Sequence, residues 1–100
     1  MEKKIFILTW VSYTSEDDYL YSDVKVFTDE KEARKQYDND CEKAYEECKW
    51  GSQSDPKYER DEYCSHDVDE ERSGDSYTVS SDAYDGYKVQ VKLVEKEVEL

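Results

Sequence analysis

Glycine and proline are nearly missing from this chain, which has three Gly and one Pro in 100 residues. There is no glycine-rich loop of the kind that cradles phosphates, so nucleotide binding has no support. Cysteine is scarce too. The three Cys are an odd number with no Cys-x-x-Cys pair, which speaks against a disulfide framework and suits a reducing cytosol. No apolar run approaches the roughly 18 residues of a membrane span. The six-residue patch Ile5 to Trp10 behind the charged start lacks a small-residue cleavage site, so no secretory signal is expected and the reading is cytoplasmic. Leu, Ile, Val and Phe together make only 17 of 100 residues, a content that accompanies disorder when net charge is high. Bases are outnumbered as well: 14 Lys and Arg stand against 27 Asp and Glu, a net charge of -13. Such a surface repels a phosphate backbone and argues against direct nucleic-acid binding.

What is present is well phased. Residues 5–11, Ile-Phe-Ile-Leu-Thr-Trp-Val, are β-branched or aromatic almost throughout and apolar at both parities, the pattern of a central strand covered on both faces. Ser15 to Asp18 breaks it, and Tyr19 to Phe27 resumes it with Val24 and Val26 on one face and Lys25 on the other. These make a first hairpin. Thr28, Asp29 and Glu30 open a helix, with the Thr28 hydroxyl as the expected cap. Ala33, Tyr37, Cys41, Ala44, Tyr45 and Cys48 then run down one stripe, and Gly51 closes it.

Residues 51–75 carry nine acids against three bases and little that is apolar, which predicts a long acidic loop. Tyr77 to Ser81 and the alternating Tyr87-Lys88-Val89-Gln90-Val91-Lys92-Leu93 predict a second hairpin around Asp85-Gly86. The whole reads as one α+β domain: a four-stranded, largely antiparallel sheet with strands at about 4–13, 20–27, 76–81 and 87–94, and one helix at about 29–49 packed on a face. The core is thin, and repulsion among the acids predicts stability that rises with salt.

Metal and catalytic chemistry find little to build on. Cys41 and Cys48 are about 10 Å apart along one helix, too far to share a zinc ion, and Cys64 and His66 add no spaced pair. Ser65, His66 and Asp67 are consecutive and cannot converge as a triad. The acids from Asp61 to Glu71 miss the ligand spacing of a calcium loop. No catalytic residue, metal site or cofactor is expected.

The acids themselves are the better clue. Asp38, Glu42 and Glu46 recur every four residues on one helix line, about 6 Å apart, close to the spacing of successive phosphates. Asp40 and Glu47 are expected to flank them. Asp61, Glu62, Asp69, Glu70 and Glu71 in the loop would extend this charge, and Tyr58 and Tyr63 would supply contact area with a polar tip. Many acidic helix faces are ordinary solvated surfaces, but a row of this spacing fits a basic groove. The partner so implied is a basic, nucleic-acid-binding protein such as a nuclease, effector or repressor. The other reading is a generic interaction or accessory domain, homodimeric through Tyr87 to Val94 as an edge strand.

The step Phe27-Thr28-Asp29-Glu30-Lys31 between hairpin and helix, with the Ala33 stripe behind it, resembles small bacterial and phage α+β proteins built on a hairpin-to-helix module. The resemblance covers about 35 residues and implies a phage or bacterial setting. In size and charge alone the chain is similar to DNA-mimic inhibitors of the anti-restriction and anti-CRISPR type, which implies a non-enzymatic inhibitor acting in the host cytosol.

Overall fold

The computed structural model describes residues 2–14 and 18–99. Most of the expected Ser15 to Asp18 turn, and Leu100, lie outside the described residues. The elements run β1 (Glu2–Thr14), β2 (Tyr19–Phe27), α1 (Glu30–Trp50), β3 (Asp69–Arg72), β4 (Ser76–Ser81) and β5 (Tyr87–Glu99), with short 3-10 turns at Gly51–Ser54, Glu62–Cys64 and Ala83–Asp85. All pairings are antiparallel, in the order β2-β1-β5-β4-β3, and α1 packs on one face.

The architecture is therefore α+β, but the described sheet has five strands rather than four. The additional strand is β3, inside the stretch expected to be loop. Its four residues, Asp-Glu-Glu-Arg, carry no strand pattern; they are held by pairing with β4, from Asp69 opposite Ser80 to Arg72 opposite Tyr77. Charge of this density suits an edge, where it discourages pairing with another chain.

Helix α1 forms where its sequence is rich in Glu, Lys and Ala. Its cap is Asp29 rather than Thr28: the Asp29 carboxylate accepts from the Lys31 amide at 3.0 Å. At the other end Gly51 has φ 56 and ψ -125, and its N–H donates to the Glu47 carbonyl. The buried stripe is Ala33, Tyr37, Cys41, Ala44 and Cys48. Four of these five are small, so the helix lies close against the sheet, and Tyr37 is its one large buried side chain.

From the sheet, Phe6, Leu8 and Trp10 of β1, Tyr77 and Val79 of β4, and Val89, Val91 and Leu93 of β5 meet that stripe. Leu8, Val79, Val89 and Val91 are at most 1% exposed, and each contributes about 1.5–3 kcal/mol by leaving water. Only this face is covered. Ile5, Ile7 and Val11 point to the other side and remain half-exposed, so the expectation of a β1 shielded on both faces is corrected: the chain has one long helix, enough for one side.

β5 lies between β1 and β4, hydrogen-bonded along both of its edges. From Tyr87 to Lys92 it has no free edge, so this stretch is not the edge strand through which a dimer was expected. Alternation reveals that β5 is a strand but not which strands flank it. β5 also runs on to Glu99, past Val94, because Glu95, Lys96 and Glu97 lie opposite Phe6, Ile5 and Lys4. Lys4 Nζ comes within 3.8 Å of Glu95 Oε1, an ion pair between neighbouring strands. Beyond Phe6 on β1 there is no β2 partner, so the ends of β1 and β5 form a projecting two-stranded ribbon.

Candidate partner-binding surface

Asp38, Glu42 and Glu46 lie on the outward side of α1 that faces β3 and the 51–68 segment. Asp38 Oδ1 accepts from Arg72 Nη2, and Arg72 in turn lies over the Tyr37 ring. Glu46 receives two guanidinium nitrogens of Arg60, at 2.6 and 3.4 Å. Glu42 stands exposed between them, with no ion pair among the described residues. The row is thus present, and two arginines fix its outer members.

The β3–β4 turn is fastened to the helix. Tyr37 donates its hydroxyl to the Ser73 carbonyl at 3.0 Å, and Arg34 donates to the Gly74 carbonyl at 2.6 Å. This places Glu70 beside the row. Asp38, Glu42 and Glu70 line one depression of about 470 Å³ together with Cys41, Tyr45, Arg72 and Tyr77. Tyr77 donates to Glu70 at 2.6 Å, and burial first, then the Glu70 carboxylate, pushes the Tyr77 hydroxyl far above its ordinary pKa. Tyr77 therefore acts as a donor that orients Glu70.

Asp69 and Glu71 do not join this group. Glu70 and Arg72 lie opposite Val79 and Tyr77, on the helix side, whereas Asp69 and Glu71 lie opposite Ser80 and Thr78, on the far side. The expected cluster Asp69-Glu70-Glu71 is split by strand alternation, which a loop assignment could not reveal. Asp40 and Glu47 do not flank the row either. Asp40 is buried, accepts from Gln36 at 2.8 Å and lies 3.8 Å from Lys25; Glu47 accepts from Tyr87 at 2.9 Å. Both line a small polar cleft of about 240 Å³ between α1 and the β1–β2 hairpin, with Trp10, Ser12 and Lys43 among its walls.

At the far end of the row, Arg60 ties the 51–68 segment to the helix by its pair with Glu46 and by lying over the Trp50 ring. Asp61 serves this segment's own backbone, accepting from the Tyr63 amide at 3.0 Å while its N–H donates to Gln53 at 2.6 Å. Glu62 is exposed beside it, and Tyr58 and Tyr63 are 59% and 99% exposed. Asp61, Glu62 and Tyr63 thus sit on a lobe next to Glu46, with Arg60 among them.

His66 lies in the stretch expected to be a long acidic loop. Its N–H instead donates to the Lys49 carbonyl at 2.7 Å, its Nδ1 lies 2.7 Å from Asp82 Oδ1, and its ring packs against Gly51. It closes the segment onto the helix end. Cys64 is exposed and its thiol faces Asp61, so Cys64 and His66 make no nucleophile-base pair. Cys41 and Cys48 are buried on the stripe; burial raises both thiols, Cys48 to about 12, which makes them poor nucleophiles. No cluster of three or more metal-ligating side chains occurs among the described residues, and no described helix is long and apolar enough to cross a membrane. No protein family, no curated protein and no solved structure matches the chain.

Proposed function

We propose that this protein is a non-catalytic binding protein whose acidic helix and lobe occupy the basic groove of a nucleic-acid-binding protein, such as a nuclease, an RNA-guided effector or a repressor. The observation that carries the reading is the exposed Glu42 between two carboxylates held in register by Arg72 and Arg60. Fixed carboxylates lose little freedom on docking, which is what an imitation of a phosphate row requires. Glu70 and Glu62 extend the charge on either side, while Tyr58 and Tyr63 present rings to a partner. The arginines reduce the local charge as they fix it, so Glu42, Glu62 and Glu70 carry most of the attraction.

The test is affinity capture from a nuclease-treated bacterial lysate at low and high salt, with the wild-type chain and with Glu42→Lys/Glu62→Lys. Basic nucleic-acid-binding proteins are expected at low salt, released as the screening length shrinks toward ~3 Å at 1 M salt, displaced by added duplex DNA, and lost with the variant. Retention that ignores salt, or that survives both charge reversals, overturns the reading.

A further inference from the structure

The acids of this chain are not spread over every face. On the sheet face away from α1, β1 presents Lys3, Ile5, Ile7, Thr9, Val11 and Tyr13, and β5 presents Lys88, Gln90, Lys92, Val94, Lys96 and Val98. β4 adds Ser76, Thr78 and Ser80, and β2 adds Val24 and Val26 opposite Thr9 and Ile7. Every charged side chain in these rows is a lysine, in a chain of net charge -13. Among the described residues of these strands, acids return to this face on the β3 edge, at Asp69 and Glu71. Beside the lysines lies an aliphatic strip: Val26, Ile7 and Val94 run side by side across three strands. Val24, Val26 and Val94 are 59%, 61% and 48% exposed. A face that merely kept the protein soluble would share the acidity of the helix.

We infer that this open sheet face is a second docking surface, and that its occupant is an acidic amphipathic helix of a partner protein. The sign of the face calls for an anionic occupant, and the aliphatic strip calls for one with an apolar stripe. Nucleic acid meets the first demand and fits the second poorly: Tyr13 is covered by Lys88, and the exposed Tyr19 ring stands opposite Tyr13 at the corner of the face with its hydroxyl on Ser22, six residues along β1 from the Val26-Ile7-Val94 strip, so no row of rings runs beside the aliphatic side chains. A second copy of this chain fits poorly as well. Face to face it would oppose lysine to lysine, and its own α1 has already spent its apolar stripe on its own sheet. The sheet edges are not involved, so the occupant lies across the face. From Lys88 to Lys96 the lysine column spans about 26 Å, the length of about 18 helical residues.

The test titrates the full chain with a synthetic acidic peptide of about that length, with leucines at helical spacing and glutamates elsewhere. A peptide with the same leucines and lysines in place of the glutamates is the control. Expected are shifts in the backbone resonances of β2, β1 and β5, about a tenfold loss of affinity in Lys92→Glu/Lys96→Glu, and a loss of several-fold in Val24→Ser/Val26→Ser. The reversal Glu42→Lys, on the opposite side of the molecule, should leave this binding unchanged. These positions are exposed, and an unchanged circular dichroism spectrum confirms folding of each variant. The inference is overturned by no binding of the acidic peptide, by equal binding of the basic one, or by indifference to the lysine reversals. Tighter binding of a single-stranded oligonucleotide or of anionic vesicles overturns it too, as does a dimer that the valine variants dissolve.

Discussion

Arg60 reaches across 14 residues of chain to hold both carboxylate oxygens of Glu46, at 2.6 and 3.4 Å. Its guanidinium also lies 5.3 Å from the centre of the Trp50 ring. One side chain thereby positions the lobe that carries Asp61, Glu62 and Tyr63 and neutralises one end of the acidic row. Both partners are partly solvated, at 42% and 35% exposure.

Replacing Arg60 with Ala should therefore cost little stability, at most about 1 kcal/mol. It should also free Glu46 and make the row more negative. The urea midpoint is expected to move slightly, while retention on a basic partner at low salt weakens despite the added charge, because Glu46 and the lobe with Glu62 and Tyr63 lose their fixed position. A large loss of stability would mean that the lobe, and not the core, holds the helix end.

Leu8 and Val26 sit on adjacent strands of one sheet with opposite fates, at 1% and 61% exposure. Leu8→Ala removes a side chain enclosed between β1 and α1 and should cost about 2–5 kcal/mol. In a core this thin that is a large share of the total. Val26→Thr keeps the β-branch, exchanges a methyl for a hydroxyl in water, and should stay within about 0.5 kcal/mol. Urea denaturation of both variants decides it; equal losses would mean that the open face is packed against something in solution.

Periodicity carried much of this fold. The stripe from Ala33 to Cys48 and the alternation from Tyr87 to Leu93 are direct readings of which side chains leave water, and both elements form where they are written. β3 was illegible for the same reason, since Asp-Glu-Glu-Arg has no apolar face and owes its strand to the backbone of β4. Strand order was hidden too, because β5 pairs with β1 across most of the chain's length. For the acidic surface, the line Asp38-Glu42-Glu46 follows from helical geometry alone. The roles of Arg60, Arg72 and Tyr77 do not, since each acts on a residue brought near only by folding. The lysine face could be read only once β5 was known to lie beside β1.

Alkaline pH should unfold the protein sooner than its acidity suggests. Burial lifts the Tyr37 hydroxyl from 10.0 to about 12 and the Cys48 thiol from 9.0 to about 12, and it raises Tyr77 and Tyr87 as well. The folded state keeps these protons after the unfolded chain has released them. Their contribution is therefore complete below the unfolded values and is lost as pH rises through the folded ones. The urea midpoint should hold steady up to about pH 9 and fall steeply between about pH 9 and about pH 12. Tyrosinate absorbance should lag behind that of free tyrosine until the fall begins. A midpoint unchanged up to about pH 11 would show these groups to be solvated.

At Gly51 the backbone demands glycine, and the His66 ring stands within van der Waals reach. Its φ of +56 with ψ -125 lies where side chains other than hydrogen are strained, and a Cβ there would stand 3.4 Å from His66 Nε2 and 3.7 Å from the Ala83 methyl. Gly51→Ala should cost about 1–3 kcal/mol through strain at the helix end. The new methyl would also stand against the His66 ring, whose Nδ1 pairs with Asp82, while the His66 backbone N–H holds the Lys49 carbonyl. His66→Ala tests the two effects separately: alone it loosens the segment, and combined with Gly51→Ala it should recover the part of the loss that comes from crowding. If the double variant loses the full sum of the two single losses, the strain lies in the backbone alone; if it loses less, the ring and the glycine are coupled.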